Sequence, residues 1–447
     1  MSLQISSKAI NEPQPHRYFL YLKEGKIFRT VFYDHPLLGW LTVLTAILVL
    51  HRSGLKWLEI IKLGGRILQM HRRLNAIVVE FTSMLTPEQI EWLKSHLGVD
   101  IEPVKAVTAY LNKASVQTEV SAVKATTPYT GKGIKVAVVD TGINDRHVDL
   151  AGKVVARQDF SNPDYSGKSF WPWDWFKNTP SEPKAAKLDG VGHGTWCAGA
   201  IAGGGQIYQG MAPKVILLDA RVLNNQGHGS NDGVIRGMSW AADQGADIIS
   251  MSLGGAGTPD DAVSREADAL ASEGIVIVVA AGNEGPHKNT IGSPSCAAKV
   301  ITVAAVDQQN KVTQYSSRGP VIFNGLDLTK PDIAAPGGGT TLMSQCFYQN
   351  GVTSIKSLDT NRDPCTVMAA DGTQYQRMSG TSMATPIVAG ICALILEASK
   401  WTSSQRDRCE LVKQAIKSTA KKIPYTADDC GVGLIDAQAA INQVKKD

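Results

Sequence analysis

Ile134-Lys-Val-Ala-Val-Val-Asp140 is a short apolar run that ends on a carboxylate. Its hydrophobic positions are nearly continuous rather than alternating, so a strand made from it has no solvent face. Four more runs of the same kind follow: VILLDARVL (215–223), ADIISMSLGG (246–255), GIVIVVAAGN (274–283) and KVITVAAVD (299–307). Between them lie segments with helical patterning: HGTWCAGAIAG, NDGVIRGMSWAADQ and DAVSREADALASE. Buried strands alternating with helices predict an α/β domain over 131–447, with a mainly parallel central sheet covered by helices. Sites in such sheets form beyond the carboxyl ends of the strands, where Asp140 lies. A dinucleotide fold fails on its glycines, because Gly131-Lys-Gly133 precedes the strand and no GxGxxG follows it.

Upstream the pattern changes. Residues 1–35 are polar and aromatic without a clear period and stay unassigned. A small α+β unit is legible over 36–104. A β-rich run ends at Leu50, and Ser53 opens a helix (LKWLEIIKL) that Gly64-Gly65 closes. Strands RILQMHR and NAIVVEF follow. Thr86-Pro87-Glu88-Gln89 then supplies a cap for the helix EQIEWLKSHL, before a last strand, VDIEPV. That order suits a ferredoxin-like split βαβ domain. Residues 105–130 are small and polar and read as an exposed linker.

Composition narrows the function. With 43% hydrophobic and 19% charged residues over 447 positions, the chain can bury a large core. A net charge of +4 without a basic block excludes nucleic acid as a supported partner. The N-terminus lacks a basic start followed by an apolar run, so it is no ordinary signal peptide, which favours the cytoplasm over secretion. Leu37–Leu50 is apolar for 14 residues, short of the roughly 20 that span a bilayer, and a membrane role is not expected. Seven cysteines fit no small disulfide framework. Cys197 and Cys392 fall in apolar helical patterns. Cys346 with Cys365, and Cys409 with Cys430, are the pairs available in an oxidising compartment.

Four residues carry candidate chemistry. Ser382, in Gly380-Thr-Ser-Met-Ala-Thr-Pro386, opens a segment apolar on nearly every face (IVAGICALILEA), hence a buried helix. Free N–H groups and the dipole at a helix start favour developing negative charge there. A simple helix cap is the bland alternative. His193 lies in Gly190-Val-Gly-His-Gly-Thr195 at another helix start, where a lone histidine is more often structural. Asn283 ends the run GIVIVVAAGN, placed either to donate to an oxyanion or to cap a turn. With Asp140 they make a set: a carboxylate to orient imidazole, a general base, a nucleophile and an oxyanion donor.

VAVVDTGIN, GHGTWCAG, SMSLGG, AAGNEG and SGTSMATP together resemble the subtilisin-like serine proteases, the subtilases, in the family's Asp, His, Asn, Ser order. An α/β-hydrolase would instead show GxSxG, with acid and histidine after the serine. The resemblance implies a serine endopeptidase with Asp140, His193 and Ser382 as its triad and Asn283 in the oxyanion hole. It also implies a substrate cleft of Ser252-Leu253-Gly254, Ala281-Gly282, Gly292 at the pocket base, and an edge strand with Gly227 and Gly229. Gly292 would leave room for a large apolar P1 side chain, and Glu284 at the rim would tolerate a basic one. The alternative for these glycines is that they only make tight turns.

The resemblance further implies that the α+β unit is a propeptide, the protease's own inhibitor, cut off within Lys105–Thr118 where Tyr110 or Leu111 suits the pocket. The YSSRGPVIFNG…KPDIAAPG segment is most like the AprX-like bacterial branch. Expected partners are protein or peptide substrates and this propeptide, with no oligomeric state implied. A catalytically silent peptide-binding pseudoenzyme and an exo-acting subtilase are the alternatives. No metal or other cofactor is expected. The family's calcium loop is replaced by GGGQIYQG, poor in oxygen ligands, although Asp149 matches a ligand used elsewhere in the family. Two stretches are additions. One is the segment before His193 with Trp171, Trp173 and Trp175, read as a strand edge, a cleft wall, a partner surface or simple surface packing. The other is 338–375, either a lid or a surface elaboration.

Overall fold

Continuous Val, Ile and Ala runs do form strands buried on both faces. The computed structural model describes residues 17–22, 65–71, 76–81, 85–97, 99–103, 106–109, 128–161, 187–205, 208–339, 351–362, 365–369, 371–399 and 407–444. The Trp-rich stretch, Leu37–Leu50, the helix proposed after Ser53 and Cys346 lie outside them. The chain divides into an N-terminal unit, which also takes in Ser230–Ile235, and a larger one made of the other described residues from Val107 on.

The N-terminal unit contains β1 (Arg17–Leu22), β2 (Gly65–His71), β3 (Ala76–Phe81), α1 (Pro87–Leu97) and β4 (Val99–Pro103). Its antiparallel sheet has the order β2-β3-β1-β4, the ferredoxin-like arrangement. Its first described strand lies within residues that the sequence left unassigned. The capping box before α1 is present: Gln89 N–H donates to Thr86 Oγ1, and Thr86 N–H donates to Gln89 Oε1.

After Pro103 come β5 (Ala106–Ala109), β6 (Lys135–Asp140), β7 (Val154–Asp159), α2 (His193–Ala202), β8 (Ile216–Arg221), β9 (His228–Ser230) and α3 (Asn231–Asp243). Next are β10 (Ile248–Met251), β11 (Leu253–Gly254), α4 (Ala262–Ser272), β12 (Val276–Ala280), β13 (Ile301–Val306), β14 (Val321–Phe323), β15 (Leu326–Leu328) and β16 (Ile333–Pro336). A three-stranded sheet of β17 (Val352–Ile355), β18 (Thr366–Met368) and β19 (Gln374–Met378) leads into α5 (Thr381–Ser399). Helices α6 (Arg408–Thr419), α7 (Ala427–Cys430) and α8 (Ala437–Val444) complete the described chain.

The central sheet is parallel, in the order β16-β13-β12-β10-β6-β8-β7. Helices α2 and α5 share one core with the apolar side chains of β6, β10 and β12. Among the described residues, α5 is the helix long and apolar enough to cross a membrane, but 94% of that window is buried inside the protein.

The pairing of Cys409 with Cys430, which the sequence left open, is not formed. Both are free, buried thiols on different helices: Cys409 on α6 meets the Lys299 carbonyl, and Cys430 on α7 meets the Thr426 carbonyl. Burial pushes the Cys430 thiol up to about 11.

Candidate active site

Asp140 ends β6, and His193 is the first residue of α2. The two meet through Asp140 Oδ1 and His193 Nδ1 at 2.8 Å, both buried. The same carboxylate oxygen accepts the Thr141 N–H. The approach depends on glycine: a Cβ on Gly194 would lie 2.3 Å from the Gly142 carbonyl oxygen. Only a bare backbone lets the start of α2 come this close to the turn after Asp140.

Asp189 organises that approach and was not singled out in the sequence. Its Oδ1 accepts Gly192 N–H, Val191 N–H and Thr141 Oγ1–H, and its Oδ2 accepts Thr195 N–H and Oγ1–H. It therefore satisfies orphan donors at the start of α2 and ties that start to the Asp140 turn. Burial raises its carboxyl pKa, against the pull of these donors. Its position four residues before a histidine at a helix start was the available signal.

Ser382 is the second residue of α5 and is fully buried. Pro386, four residues on, has no N–H, so the Ser382 carbonyl has no intrahelical i+4 donor. That carbonyl instead accepts Ser252 Oγ–H at 2.8 Å and Cys197 Sγ–H at 3.7 Å. Ser382 Oγ in turn donates to the Ser252 carbonyl at 3.3 Å. The Cys197 sulfur, one turn beyond His193, lies within 4.8 Å of ligand atoms of both Asp140 and His193. Cys197 thus joins the serine helix to the acid–imidazole pair. These three side chains are also the described group compact enough to hold a metal ion.

Asn283 follows β12, with its amide orientation fixed by chemistry. Its Oδ1 accepts Thr381 N–H at 3.0 Å and Thr381 Oγ1–H at 3.2 Å, so the oxygen must face the helix. Nδ2 is buried with no hydrogen-bond partner among the described residues. A Cβ on Gly380 would lie 3.6 Å from Asn283 Nδ2 and 3.6 Å from the Ser382 nitrogen, so both nitrogens flank one point.

The strands beside the site belong to one three-stranded sheet. β5 lies between β11 and β9, and Ala109 pairs with Leu253 and Thr108 with Gly254, antiparallel. Gly229 sits in β9, and Gly227 in the turn before it has φ +77°. On the other side, Ala281 N–H donates to the Val303 carbonyl, while Gly282 N–H donates to Thr381 Oγ1. A Cβ on Gly292 would lie 2.1 Å from the Gly255 oxygen, where the backbones of Gly255 and Ser293 pair. Glu284 accepts Ser317 Oγ–H, and burial raises its carboxyl pKa. Asp149, the residue with calcium-ligand precedent, accepts the Tyr375 hydroxyl at 2.7 Å.

Comparison with known proteins agrees with this geometry. The profile of the subtilase family (Peptidase_S8) matches residues 131–433. The chain is 38% identical to serine protease AprX of Bacillus subtilis over 362 residues, 76% of this chain and 72% of that one. It is 34% identical to thermitase of Thermoactinomyces vulgaris, over 70% of this chain and 89% of the relative. Subtilisin E of Bacillus subtilis is 34% identical, over 70% and 66%. With this match spanning the parallel sheet and all four chemistry-bearing motifs, the chain belongs to the subtilases and is a subtilisin-like serine endopeptidase.

Proposed function

We propose that Asp140, His193 and Ser382 act as the catalytic triad of a peptidase that is made as a zymogen and cuts its own chain. Ser382 Oγ attacks the scissile carbonyl carbon while His193 takes its proton. The tetrahedral oxyanion is held by Asn283 Nδ2 and the Ser382 N–H. The C–N bond breaks as His193 returns the proton to the leaving amine, leaving an ester on Ser382. Water, deprotonated by His193, then attacks that ester and releases the acid, and the proton returns to Ser382 Oγ. Asp140 keeps the imidazole in the tautomer with its proton on Nδ1 and stabilises the imidazolium.

The observation that carries this reading is the strand from Ala106 to Ala109 paired with Leu253 and Gly254. An extended chain bound to a sheet edge is how a protease holds a substrate. Leu253, the pairing partner of Ala109, directly follows Ser252, the residue whose carbonyl accepts from Ser382 Oγ. Cleavage between Tyr110 and Leu111 follows, with the tyrosine in a pocket for large apolar P1 side chains. That pocket would be formed by Ser252-Leu253-Gly254, Ala281-Gly282 and Gly292. The preceding ferredoxin-like unit would remain as an inhibitor partner. No observation favours a silent pseudoenzyme.

A fluorophosphonate probe tests the triad. It is expected to add covalently to Ser382, mapped by peptide mass, and to lose that labelling in His193→Ala. Wild-type protein that takes up no label at Ser382 would overturn the assignment.

A further inference from the structure

The turn that carries Asp140 rests on a second buried carboxylate. Asp219, in β8, pairs in register with Val138 of β6, two residues before Asp140. Alternation along β6 puts Val138 and Asp140 on one face, and Asp219 shares it. Its Oδ2 accepts the Ile143 N–H at 3.1 Å, three residues beyond Asp140. Its Oδ1 is buried without a hydrogen-bond partner among the described residues, and the residue is 3% exposed.

Such a carboxyl is satisfied in neither state. Ionised, it makes one charge-assisted bond to Ile143 and leaves the other oxygen unpaired. Protonated, it weakens the Ile143 bond and carries an O–H that has no acceptor in this arrangement.

We propose that Asp219 is a positioning residue for the Asp140–His193 pair, holding the Asp140 turn through the Ile143 N–H, and that the ionisation of its carboxyl is felt in the proteolytic rate. This rests on the triad reading above. Charged groups reach Asp219 from every side of the turn. Arg157 comes from β7 and is paired with Asp145, while Arg221 lies on β8 beside Asp159. Asp189 comes from the loop before α2, and Asp140 from β6. Burial dominates and pushes the Asp219 carboxyl up to about 7, Arg157 and the Ile143 N–H pull it down, and Asp189 pushes it up. The change of state therefore falls within the working range of an imidazole base.

The test is the pH dependence of kcat and KM for a blocked tetrapeptide anilide with Phe at P1, on self-processed wild type and Asp219→Asn. Wild type should show a second ionisation near neutrality, besides the histidine limb. Asp219→Asn should lack that step and run roughly tenfold lower in kcat above pH 8, with KM within about twofold. A single-proton acid limb in wild type would overturn the proposal even if the variant fails to fold. So would superimposable profiles for the two proteins. Absence of hydrolysis by wild type would instead overturn the triad reading beneath it.

Discussion

Buried carboxylates at two places in the larger unit, a trio and a single one, meet opposite surroundings. At the end of β6, Asp140, Asp189 and Asp219 surround one turn, and no lysine among the described residues pairs with them. Beside β16, Asp332 is met by three ammonium groups: Lys330 at 2.7 Å, Lys413 at 3.2 Å and Lys417 at 3.3 Å. Lys330 and Lys413 also donate to the Val300 carbonyl. Burial alone would raise Asp332, but the lysines outweigh it and hold its carboxyl well below the usual range. Burial lowers Lys330 to about 8, against the pull of Asp332. One cluster is saturated with partners and fixes structure. The other leaves Asp140 Oδ2 and Asp219 Oδ1 without a hydrogen-bond partner among the described residues, and Asp140 meets the imidazole that the proposed mechanism uses.

The comparison can be broken at its strongest point first. Asp140→Asn should lower kcat by about 10⁴-fold, because the amide favours the wrong imidazole tautomer, with little change in urea midpoint. Asp332→Ala should do the reverse. It strands buried ammonium groups and should cost about 3–5 kcal/mol in urea unfolding, while kcat per folded molecule stays near wild type. If Asp332→Ala lost activity with its fold intact, the division of labour would be wrong. Asn283→Ala should lose about 10²–10³-fold in kcat at nearly constant KM, the usual cost of one oxyanion donor.

The smallest effect has opposite signs in the two clusters. Asp219 has a folded pKa near 7 against an ordinary 3.8, so its contribution favours folding at low pH and is lost as pH rises through 7. In an inactive Ser382→Ala background, adding Asp219→Asn should therefore gain stability relative to its parent by roughly 2 kcal/mol between pH 5 and pH 8. Asp332, held low, contributes above its ordinary value, and that contribution fades as pH falls below about 4. Urea titrations at three pH values would expose a shared sign, which would contradict the contrast.

The sequence made the parallel sheet legible because continuous apolar runs have one physical meaning, burial on both faces. It also made Asp140, His193, Asn283 and Ser382 legible, because each stands where a strand ends or a helix begins. Arg17–Leu22 was not legible: its aromatic and charged mixture has no strict alternation, and its place between β3 and β4 is set by tertiary pairing. Asp219 and Asp189 were hidden for another reason. Aspartate reads as exposed unless its partners are known; that of Asp219 is a backbone N–H from a distant segment, and those of Asp189 are N–H groups and hydroxyls of the following helix start and of Thr141.

The most direct measurement is the intact mass of the purified wild-type chain beside Ser382→Ala. The account predicts that wild type separates into residues 1–110 and 111–447 while the variant stays whole. Both chains remaining whole, with an added peptide mixture left uncut, would contradict it.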